Sequence, residues 1–278
     1  MERFVIEGGK QLKGTVRPSG SKNEALPVLA ACLLTSEPVM LKNLPRIADV
    51  EVMLEVLKSL GATIEELDRN TLRITTGEPN TTVLDADLCR RIRASILFAG
   101  PMVARMGAVT LPPPGGDVIG RRRVDTHFLG LKALGARFEL DEGYDLKADG
   151  LIGTEIFLDE QSVTGTENIL MAAALAKGTT TIMNAACEPH VQGLCRMLVS
   201  MGAEVTGIGT NSNRITGTDK LHGTTHVIGP DYLEIGSFMG LAAVTNSDIT
   251  IEGVRPNELR MILHTFSRLG VVPEINGD

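Results

Sequence analysis

A short motif recurs four times along the chain, and this repetition restricts the fold more than any other feature of the sequence. The motif reads SLGA at 59–62, ALGA at 133–136, SMGA at 200–203 and RLGV at 268–271, so its glycines are 74, 67 and 68 residues apart. Near-regular self-similarity of this kind is typical of a chain built from copies of one supersecondary unit. The sequence therefore predicts four copies of such a unit within 278 residues.

Each copy shows the same order of local patterns. It opens with a helical stretch rich in small residues and continues with a short strand rich in β-branched residues. A second helix follows, with apolar residues at helical spacing as in 52–60. The motif glycine ends that helix, because glycine accepts the left-handed conformation of a helix C-terminus. Two strands around a polar turn complete an α-β-α-β-β unit. The predicted opening helices are 21–34, 91–106, 166–176 and 234–244, and the strands after them are 39–41, 108–111, 179–183 and 249–251.

These patterns predict an α/β fold with the sheets outside and the helices inside. The strands alternate polar with apolar residues, whereas the opening helices are small and apolar on all sides, which favours their burial at close approach. Hydrophobic residues make up 43% of the chain. At this length they are sufficient for a large hydrophobic core that needs no disulfide bond or metal ion for stability.

Charge and composition exclude several classes of protein. With 27 basic against 34 acidic side chains and a net charge of −7, the chain lacks the basic excess of nucleic-acid-binding proteins. Its longest apolar run, 25–34, is about half of the ~20 residues of a membrane span. The four cysteines form no CxxC pair, which is typical of reduced thiols in the cytosol. We therefore expect a cytoplasmic protein that binds neither nucleic acid nor membrane.

The end of the chain interrupts the fourth copy. Asn276-Gly277 is the favoured turn of a two-residue hairpin, yet only Asp278 follows it. A strand without its partner leaves an open sheet edge and an uncovered core. We therefore expect a C-terminally truncated product whose fourth copy is marginally stable by itself.

The densest candidate for chemistry is the segment 112–127, PPPGGDVIGRRRVDTH. Its glycines predict a mobile loop, and the arginines at 121–123 concentrate positive charge suited to phosphate, because a guanidinium binds two oxygens at once. Asp117 on such a loop is suited to close over a substrate and supply a proton. The alternative is a solvated surface loop whose charge is balanced by Asp125, and the composition favours neither reading.

Three predicted helix starts carry polar residues suited to an anion. Lys22 and Asn23 begin the first, Arg93 lies at the second, and SVTGTEN at 162–168 forms the third. Amides and the dipole at a helix N-terminus favour negative charge, so several such ends facing one cleft would make a strong anion site. The alternative for each is an ordinary capped helix start on a solvated face, with a threonine as the cap of the third.

The histidines predict no metal site. Only His222 and His226 are close in sequence, and no carboxylate or cysteine lies at ligand spacing, so we place both on the surface. The patterns GxSxG, HExxH, GxGxxG and GxxxxGK[ST] are absent, which disfavours serine hydrolases, zinc hydrolases, dinucleotide binding and P-loop chemistry. The residues indicate no metal or organic cofactor.

Several motifs together resemble those of the enolpyruvyl transferases, and they occur in the same order along the whole chain. Asn23 favours the branch of the family that acts on a sugar nucleotide, since the shikimate-pathway branch typically has serine there. The motifs are SGSKNEAL at 19–26, IRAS at 92–95, GGDVIG at 115–120, VDTH at 124–127 and EP at 188–189.

The resemblance implies an inside-out α/β barrel fold of two similar domains with the active site between them. The first domain is expected at 22–229, and the second is expected from 1–21 and 230–278. The family's second domain has further repeats, which hold an aspartate general base and several arginines, and these would lie beyond Asp278. The alternative function is therefore a catalytically silent protein that binds UDP-N-acetylglucosamine without reacting it.

The reaction implied is transfer of the enolpyruvyl group from phosphoenolpyruvate to the 3′-hydroxyl of UDP-N-acetylglucosamine, the first committed step of peptidoglycan synthesis for the cell wall. The family needs no cofactor for this chemistry. Asp117 stands where most members carry a cysteine, and either group is suited to protonate the methylene carbon. The resemblance implies that Asp117 and Lys22 are catalytic. It implies substrate binding by Lys22 and Asn23 (phosphoenolpyruvate), Arg93 and Arg122 (anionic groups), Val124, Asp125 and Thr126 (uridine), and Ser162 and Val163 (diphosphate).

Overall fold

The computed structural model of the protein describes residues 3–116, 123–140 and 143–276. It divides into two compact units, a larger one of Lys22–Gly229 and a smaller one of Met1–Ser21 with Pro230–Asp278. The larger unit covers the residues of the predicted first domain. Helices and sheets alternate along the chain, so the predicted α/β class is confirmed.

The helices and strands follow the predicted order closely. The α-helices are α1 (Lys22–Ala31), α2 (Ala48–Ser59), α3 (Ala86–Arg91), α4 (Ala99–Met106), α5 (Asp125–Ala133), α6 (Val163–Ala173), α7 (Pro189–Ser200), α8 (Tyr232–Val244) and α9 (Arg260–Arg268), with 3-10 helices at Cys32–Leu34, Arg93–Phe98 and Pro256–Glu258. The strands are β1 (Lys13–Val16), β2 (Val39–Lys42), β3 (Thr63–Asp68), β4 (Thr71–Thr75), β5 (Ala108–Leu111), β6 (Arg137–Leu140), β7 (Tyr144–Lys147), β8 (Glu155–Phe157), β9 (Thr179–Met183), β10 (Glu204–Thr206), β11 (Ser212–Thr216), β12 (Thr225–Val227) and β13 (Asp248–Ile251).

The larger unit contains three copies of the predicted repeat, each with its own sheet. The sheet orders are β12-β2-β4-β3, β5-β7-β6 and β8-β9-β11-β10. Within each sheet the strands of one repeat pair antiparallel. Two of the sheets also have a parallel edge strand that leads into the next helix: β8 pairs with β9, and β12 pairs with β2. Residues alternate between buried and more exposed along β4 and β9, as expected for a sheet with one face on the core.

The opening helices of the first and third repeats lie in the core. All residues of α1 from Glu24 to Ala31 are buried, and so are those of α6 from Gly165 to Ala173. Small side chains permit this, because they allow helices to pack closely on several sides. The predicted arrangement of helices inside and sheets outside therefore agrees with the burial of these elements.

The repeated glycine has the backbone geometry predicted for it. Gly61, Gly135, Gly202 and Gly270 have φ angles of +96°, +107°, +104° and +79°, respectively. An L side chain is strained in this left-handed region, whereas glycine is not. Backbone geometry therefore accounts for the motif without a catalytic role.

The second opening helix differs from the prediction of one continuous helix at 91–106. Helix α3 ends at Arg91, and Ile92 is extended, with φ −143° and ψ 135°. The Ser95 hydroxyl donates to the carbonyl oxygens of Ile92 and Cys89 at 3.0 and 3.2 Å. These bonds connect the two helical segments across Ile92, and the chain resumes as the 3-10 helix that begins at Arg93.

The smaller unit pairs β1 in parallel with β13 and packs α8 against this sheet. Helix α8 is more apolar than α1, yet only Ile235 and Met239 of its residues are buried. Val244 is 84% exposed. A groove of about 1060 Å³ runs beside α8 and β13 and is lined also by residues 271–276. Among the described residues, no helix is both long and apolar enough to cross a bilayer.

Candidate active site

The N-termini of α5 and α6 meet, and five of the residues implied by the resemblance lie there. Val124, Asp125 and Thr126 begin α5, and Ser162 and Val163 begin α6. The Thr126 hydroxyl donates to Glu160 Oε1 at 3.1 Å, just before α6. A Cβ placed on Gly165 would lie 3.1 Å from the methyl carbon of Thr126, so the two helix starts are in direct contact. Two positive helix ends therefore converge at this point.

Ser162 caps α6. Its Oγ accepts the amide hydrogen of Gly165 at 3.2 Å, and its carbonyl oxygen accepts the amide hydrogen of Thr166 at 3.0 Å. The alternative that a threonine caps this helix is wrong, because Thr166 instead donates its hydroxyl to the Ser162 carbonyl at 2.7 Å. First-turn amides have no acceptor inside a helix, so those of Val163 and Thr164 are the donors suited to an anion here.

Two arginines lie beside these helix starts. An Nη of Arg93 donates to the carbonyl oxygen of Arg123 at 3.0 Å, which brings the 3-10 helix to α5. Arg123 binds Asp125 through Nε at 2.9 Å to both carboxylate oxygens, and it also contacts Asp159 at 3.2 Å. The hydrogen bond that Arg123 donates to Asp125, together with the negative charge of Asp125, raises the pKa of Arg123. Asp125 therefore balances the charge of Arg123, as predicted for this loop.

The segment before Asp117 is held by close backbone packing. The amide hydrogens of Gly115 and Gly116 bond to the carbonyl oxygens of Cys89 and Arg90 at 3.2 and 3.3 Å. A Cβ on Gly115 would lie 1.6 Å from the Arg90 carbonyl oxygen, so only glycine fits. These two glycines permit close contact with the end of α3, and the predicted mobility of the loop stays a prediction. Asp117 and Arg122 lie outside the described residues.

Lys22 and Asn23 begin α1, which packs against the 3-10 helix of Arg93 and against α6. Lys22 Nζ forms an ion pair with Asp49 Oδ2 of α2 at 3.1 Å, and the two side chains are 44% and 42% exposed. An exposed pair of this kind contributes about 1 kcal/mol or less. This ion pair holds the Lys22 side chain between α1 and α2.

His226 is not at the surface, contrary to the sequence-based placement. It is 8% exposed, and its Nε2 lies 2.8 Å from Oε1 of Glu24, which is 3% exposed. The second Glu24 oxygen accepts the amide hydrogen of Gly229 at 3.1 Å. Helical spacing alone places Glu24 on the face of α1 that also carries Val28, but no local signal connects it with a histidine 202 residues away. The exposed position predicted for His222 agrees with the structure.

Two further buried titratable side chains could not be identified from the sequence. His127 is 2% exposed, and burial, followed by the charge of Arg93, lowers its pKa to about 3. Glu167 of α6 is 1% exposed, and burial raises its pKa well above the ordinary value, with the nearby Glu188 adding to the shift. Neither shift has a signal in the sequence, because burial follows from tertiary packing. Among the described residues, no group of three or more acidic, histidine or cysteine side chains is placed to hold a metal ion.

Comparison with known proteins places the chain in a family. A family model described as EPSP synthase (3-phosphoshikimate 1-carboxyvinyltransferase) matches residues 6–276. A Treponema denticola protein named UDP-N-acetylglucosamine 1-carboxyvinyltransferase is 53% identical over 277 residues, which are 100% of this chain and 65% of that protein. A protein of the same name from Bradyrhizobium diazoefficiens is 51% identical over 276 residues, covering 99% of this chain and 64% of the relative.

Solved structures agree with this placement. The enolpyruvyl transferase NikO from Streptomyces tendae matches with a TM-score of 0.79 and 26% identity, over 95% of this chain and 63% of its own. An EPSP synthase from Acinetobacter baumannii matches with a TM-score of 0.74 and 21% identity, over 96% of this chain and 61% of its own, which shows the shared fold.

These matches define an enolpyruvyl transferase fold. The chain belongs to the EPSP synthase family, a family of enzymes, and the resemblance seen in the sequence motifs is confirmed. The chain spans about 65% of the length of the curated relatives that it matches.

Proposed function

We propose that the protein transfers the enolpyruvyl group of phosphoenolpyruvate to the 3′-hydroxyl of UDP-N-acetylglucosamine, and that the product serves peptidoglycan synthesis. The observation that carries this proposal is the 53% identity, over the whole chain, to a relative whose name states that reaction type and acceptor. The converging helix starts of α5 and α6 support it, because they offer amides and positive dipole ends to a diphosphate.

The sugar-nucleotide side of the proposed site lies at these two helix starts. The uridine would contact Val124, Asp125 and Thr126, and the diphosphate would contact the start of α6 at Ser162 and Val163. Three carboxylates, those of Asp125, Asp159 and Glu160, already surround Arg123 and Thr126. A diphosphate therefore needs further positive charge, which Arg93 and, by resemblance, Arg122 would supply.

The phosphoenolpyruvate side of the proposed site lies at the start of α1. Lys22 would exchange its ion pair with Asp49 for the phosphate, at a cost of about 1 kcal/mol or less. A phosphate group carries more negative charge than one carboxylate, so the exchange favours the substrate. Asn23, half-buried at the second position of α1, would orient the same substrate through its side-chain amide.

The chemistry proceeds by addition and elimination. The 3′-hydroxyl gives up its proton to a general base as its oxygen bonds to the C2 carbon of phosphoenolpyruvate. The methylene C3 takes a proton in the same step, and Asp117 is the proposed donor. Loss of a proton from C3 then re-forms the double bond as phosphate leaves C2. The acid must be protonated for the first step and ionised for the second, and a carboxyl group meets both requirements.

The test combines binding with turnover. UDP-N-acetylglucosamine is titrated into the chain by calorimetry, and phosphate release is then measured with phosphoenolpyruvate added. Arg93→Ala is expected to weaken sugar-nucleotide binding by roughly tenfold to a hundredfold, the loss of one charge-assisted contact. Arg91→Ala is the matched control, because Arg91 instead pairs with Glu55 on the exposed side of α2.

Turnover is tested separately from binding. Asp117→Asn is expected to abolish phosphate release and leave sugar-nucleotide binding intact, because the amide cannot supply the proton.

Equal loss of binding in the Arg93 and Arg91 variants would contradict the proposed site. Absence of phosphate release from the unmodified chain with both substrates would contradict the proposed activity of this chain.

A further inference from the structure

A buried polar cluster lies directly behind the proposed sugar-nucleotide site. It consists of His127 of α5 with Thr164 and Asn168 of α6, and we name it the His127 cluster. His127 Nδ1 lies 2.7 Å from the Asn168 side-chain nitrogen, and His127 Nε2 lies 3.0 Å from the Thr164 hydroxyl oxygen. His127 is 2% exposed and Asn168 is fully buried. Neither side chain is therefore accessible to a ligand.

The hydrogen bonds of Asn168 determine the orientation of every group in the cluster. Its Oδ1 accepts the amide hydrogen of Gly100 at 2.7 Å, so Nδ2 is the donor end. That nitrogen donates to the carbonyl oxygen of Ile96 at 2.8 Å and, with its second hydrogen, to His127 Nδ1. The His127 ring must then carry its hydrogen on Nε2 and donate it to the Thr164 hydroxyl. All these bonds are compatible with one neutral tautomer.

The cluster joins the three elements that carry the proposed sugar-nucleotide contacts. Through Ile96 it reaches the 3-10 helix that begins with Arg93, through His127 it reaches the start of α5, and through Thr164 it reaches the first turn of α6. Close packing accompanies these bonds, since a Cβ on Gly100 would lie 2.4 Å from the Asn168 carbonyl oxygen. The cluster therefore connects all three elements through direct contacts.

We propose that the His127 cluster is a positioning device that sets the spacing between the uridine side and the diphosphate side of the sugar-nucleotide site. The proposal rests on the proposed function for the identity of the ligand. His127 acts through Thr164 and not by contact with substrate. The hydrogen bond from Nε2 to Thr164 is the step that couples α5 to α6, because it is the bond of the cluster that directly joins the two helix starts.

The test is a double-mutant cycle on this bond. Thr164→Val removes the acceptor, and His127→Asn removes the donor while its Oδ1 can still accept from Asn168. Each change is expected to weaken binding of UDP-N-acetylglucosamine by roughly tenfold, and the double variant by no more than either alone. Thr164→Ser retains the hydroxyl and is expected to restore binding.

Thr180→Val is the matched control. Thr180 is fully buried in β9, and its hydroxyl has no hydrogen-bond partner among the described residues, so the same exchange removes no bond there. Additive losses in the double variant, of about a hundredfold together, would overturn the proposal. So would a loss in Thr164→Val without a loss in His127→Asn, because Thr164 would then act by itself.

A second readout separates this proposal from the proposed function. Amide hydrogen exchange in the first turns of α5 and α6 is expected to accelerate in Thr164→Val and His127→Asn, but not in Thr180→Val. This outcome supports the positioning role even for a chain that fails to bind UDP-N-acetylglucosamine, a failure that would count against the proposed function alone. Unchanged exchange in both turns would overturn the positioning role.

Discussion

Replacement of Glu167 by glutamine is expected to remove a pH dependence from the stability of the protein. Glu167 lies inside α6, is 1% exposed, and its Oε1 is buried without a hydrogen-bond partner among the described residues. The adjacent Glu188 also has a buried carboxylate oxygen without such a partner. Burial, followed by the charge of Glu188, raises the pKa of Glu167 well above its ordinary value of 4.5. The side chain is therefore protonated in the folded protein under conditions in which it ionises in the unfolded chain.

The sign and the size of the effect follow from this difference. Above a pH near the ordinary value, the folded protein holds a proton that the unfolded chain has released, so the free energy of unfolding falls as pH rises. The slope reaches at most about 1.4 kcal/mol per pH unit and ends at the folded-state pKa. Glutamine has no proton to release, and this contribution disappears in the variant.

The assay is urea unfolding of the chain and of Glu167→Gln, followed by far-UV circular dichroism because tryptophan is absent. Measurements start near pH 4.5, the ordinary value, and extend upward in steps, because the slope is expected above that pH. Glu155→Gln is the control, because Glu155 is exposed in β8. The difference in unfolding free energy between the chain and Glu167→Gln should change steadily with pH, and that for Glu155→Gln should not. Parallel pH profiles for the chain and Glu167→Gln would refute the reasoning.

Three other changes have defined expected outcomes. Gly100→Ala places a Cβ 2.4 Å from the Asn168 carbonyl oxygen, and we expect a destabilisation of about 3 kcal/mol or more in urea unfolding; less than ~1 kcal/mol would contradict the packing argument. Arg105→Ala removes a guanidinium that donates to four carbonyl oxygens, and we expect a loss of about 2 kcal/mol that lysine restores only in part; full restoration by lysine would show that charge alone suffices. Cys187 is half-buried whereas the other three cysteines are buried, so a thiol reagent should modify one cysteine per native chain and none in Cys187→Ser.

The candidate site was predicted only in part. The resemblance pointed to Val124–Thr126, Ser162 and Arg93, and the structure brings these residues together at the ends of three helical elements. Their roles toward substrate stay proposals. The supporting groups behind them, His127 above all, could not be assigned from the sequence, because a histidine in a helix has no local mark that distinguishes a buried hydrogen-bonded ring from an exposed one.

Secondary structure can be predicted from the sequence because it depends on residues that are near neighbours in the chain. The repeated glycine predicts a helix end at Gly61 and at its three counterparts, since a positive φ angle is a property of one residue. The alternation along β4 and the small residues of α1 likewise predict the type and the buried face of each element. The four-copy organisation follows from spacing alone.

Only the tertiary structure decides which strands pair when they are far apart in the sequence. Strand β1 pairs with β13, more than 200 residues later, and β12 pairs with β2 at the other end of the larger unit. The bond between Glu24 and His226 spans a similar separation. Strands of the four copies are alike in pattern, so the sequence does not state which copy each edge strand joins. That choice depends on which faces meet when the helices are buried together, a property of the whole packed core.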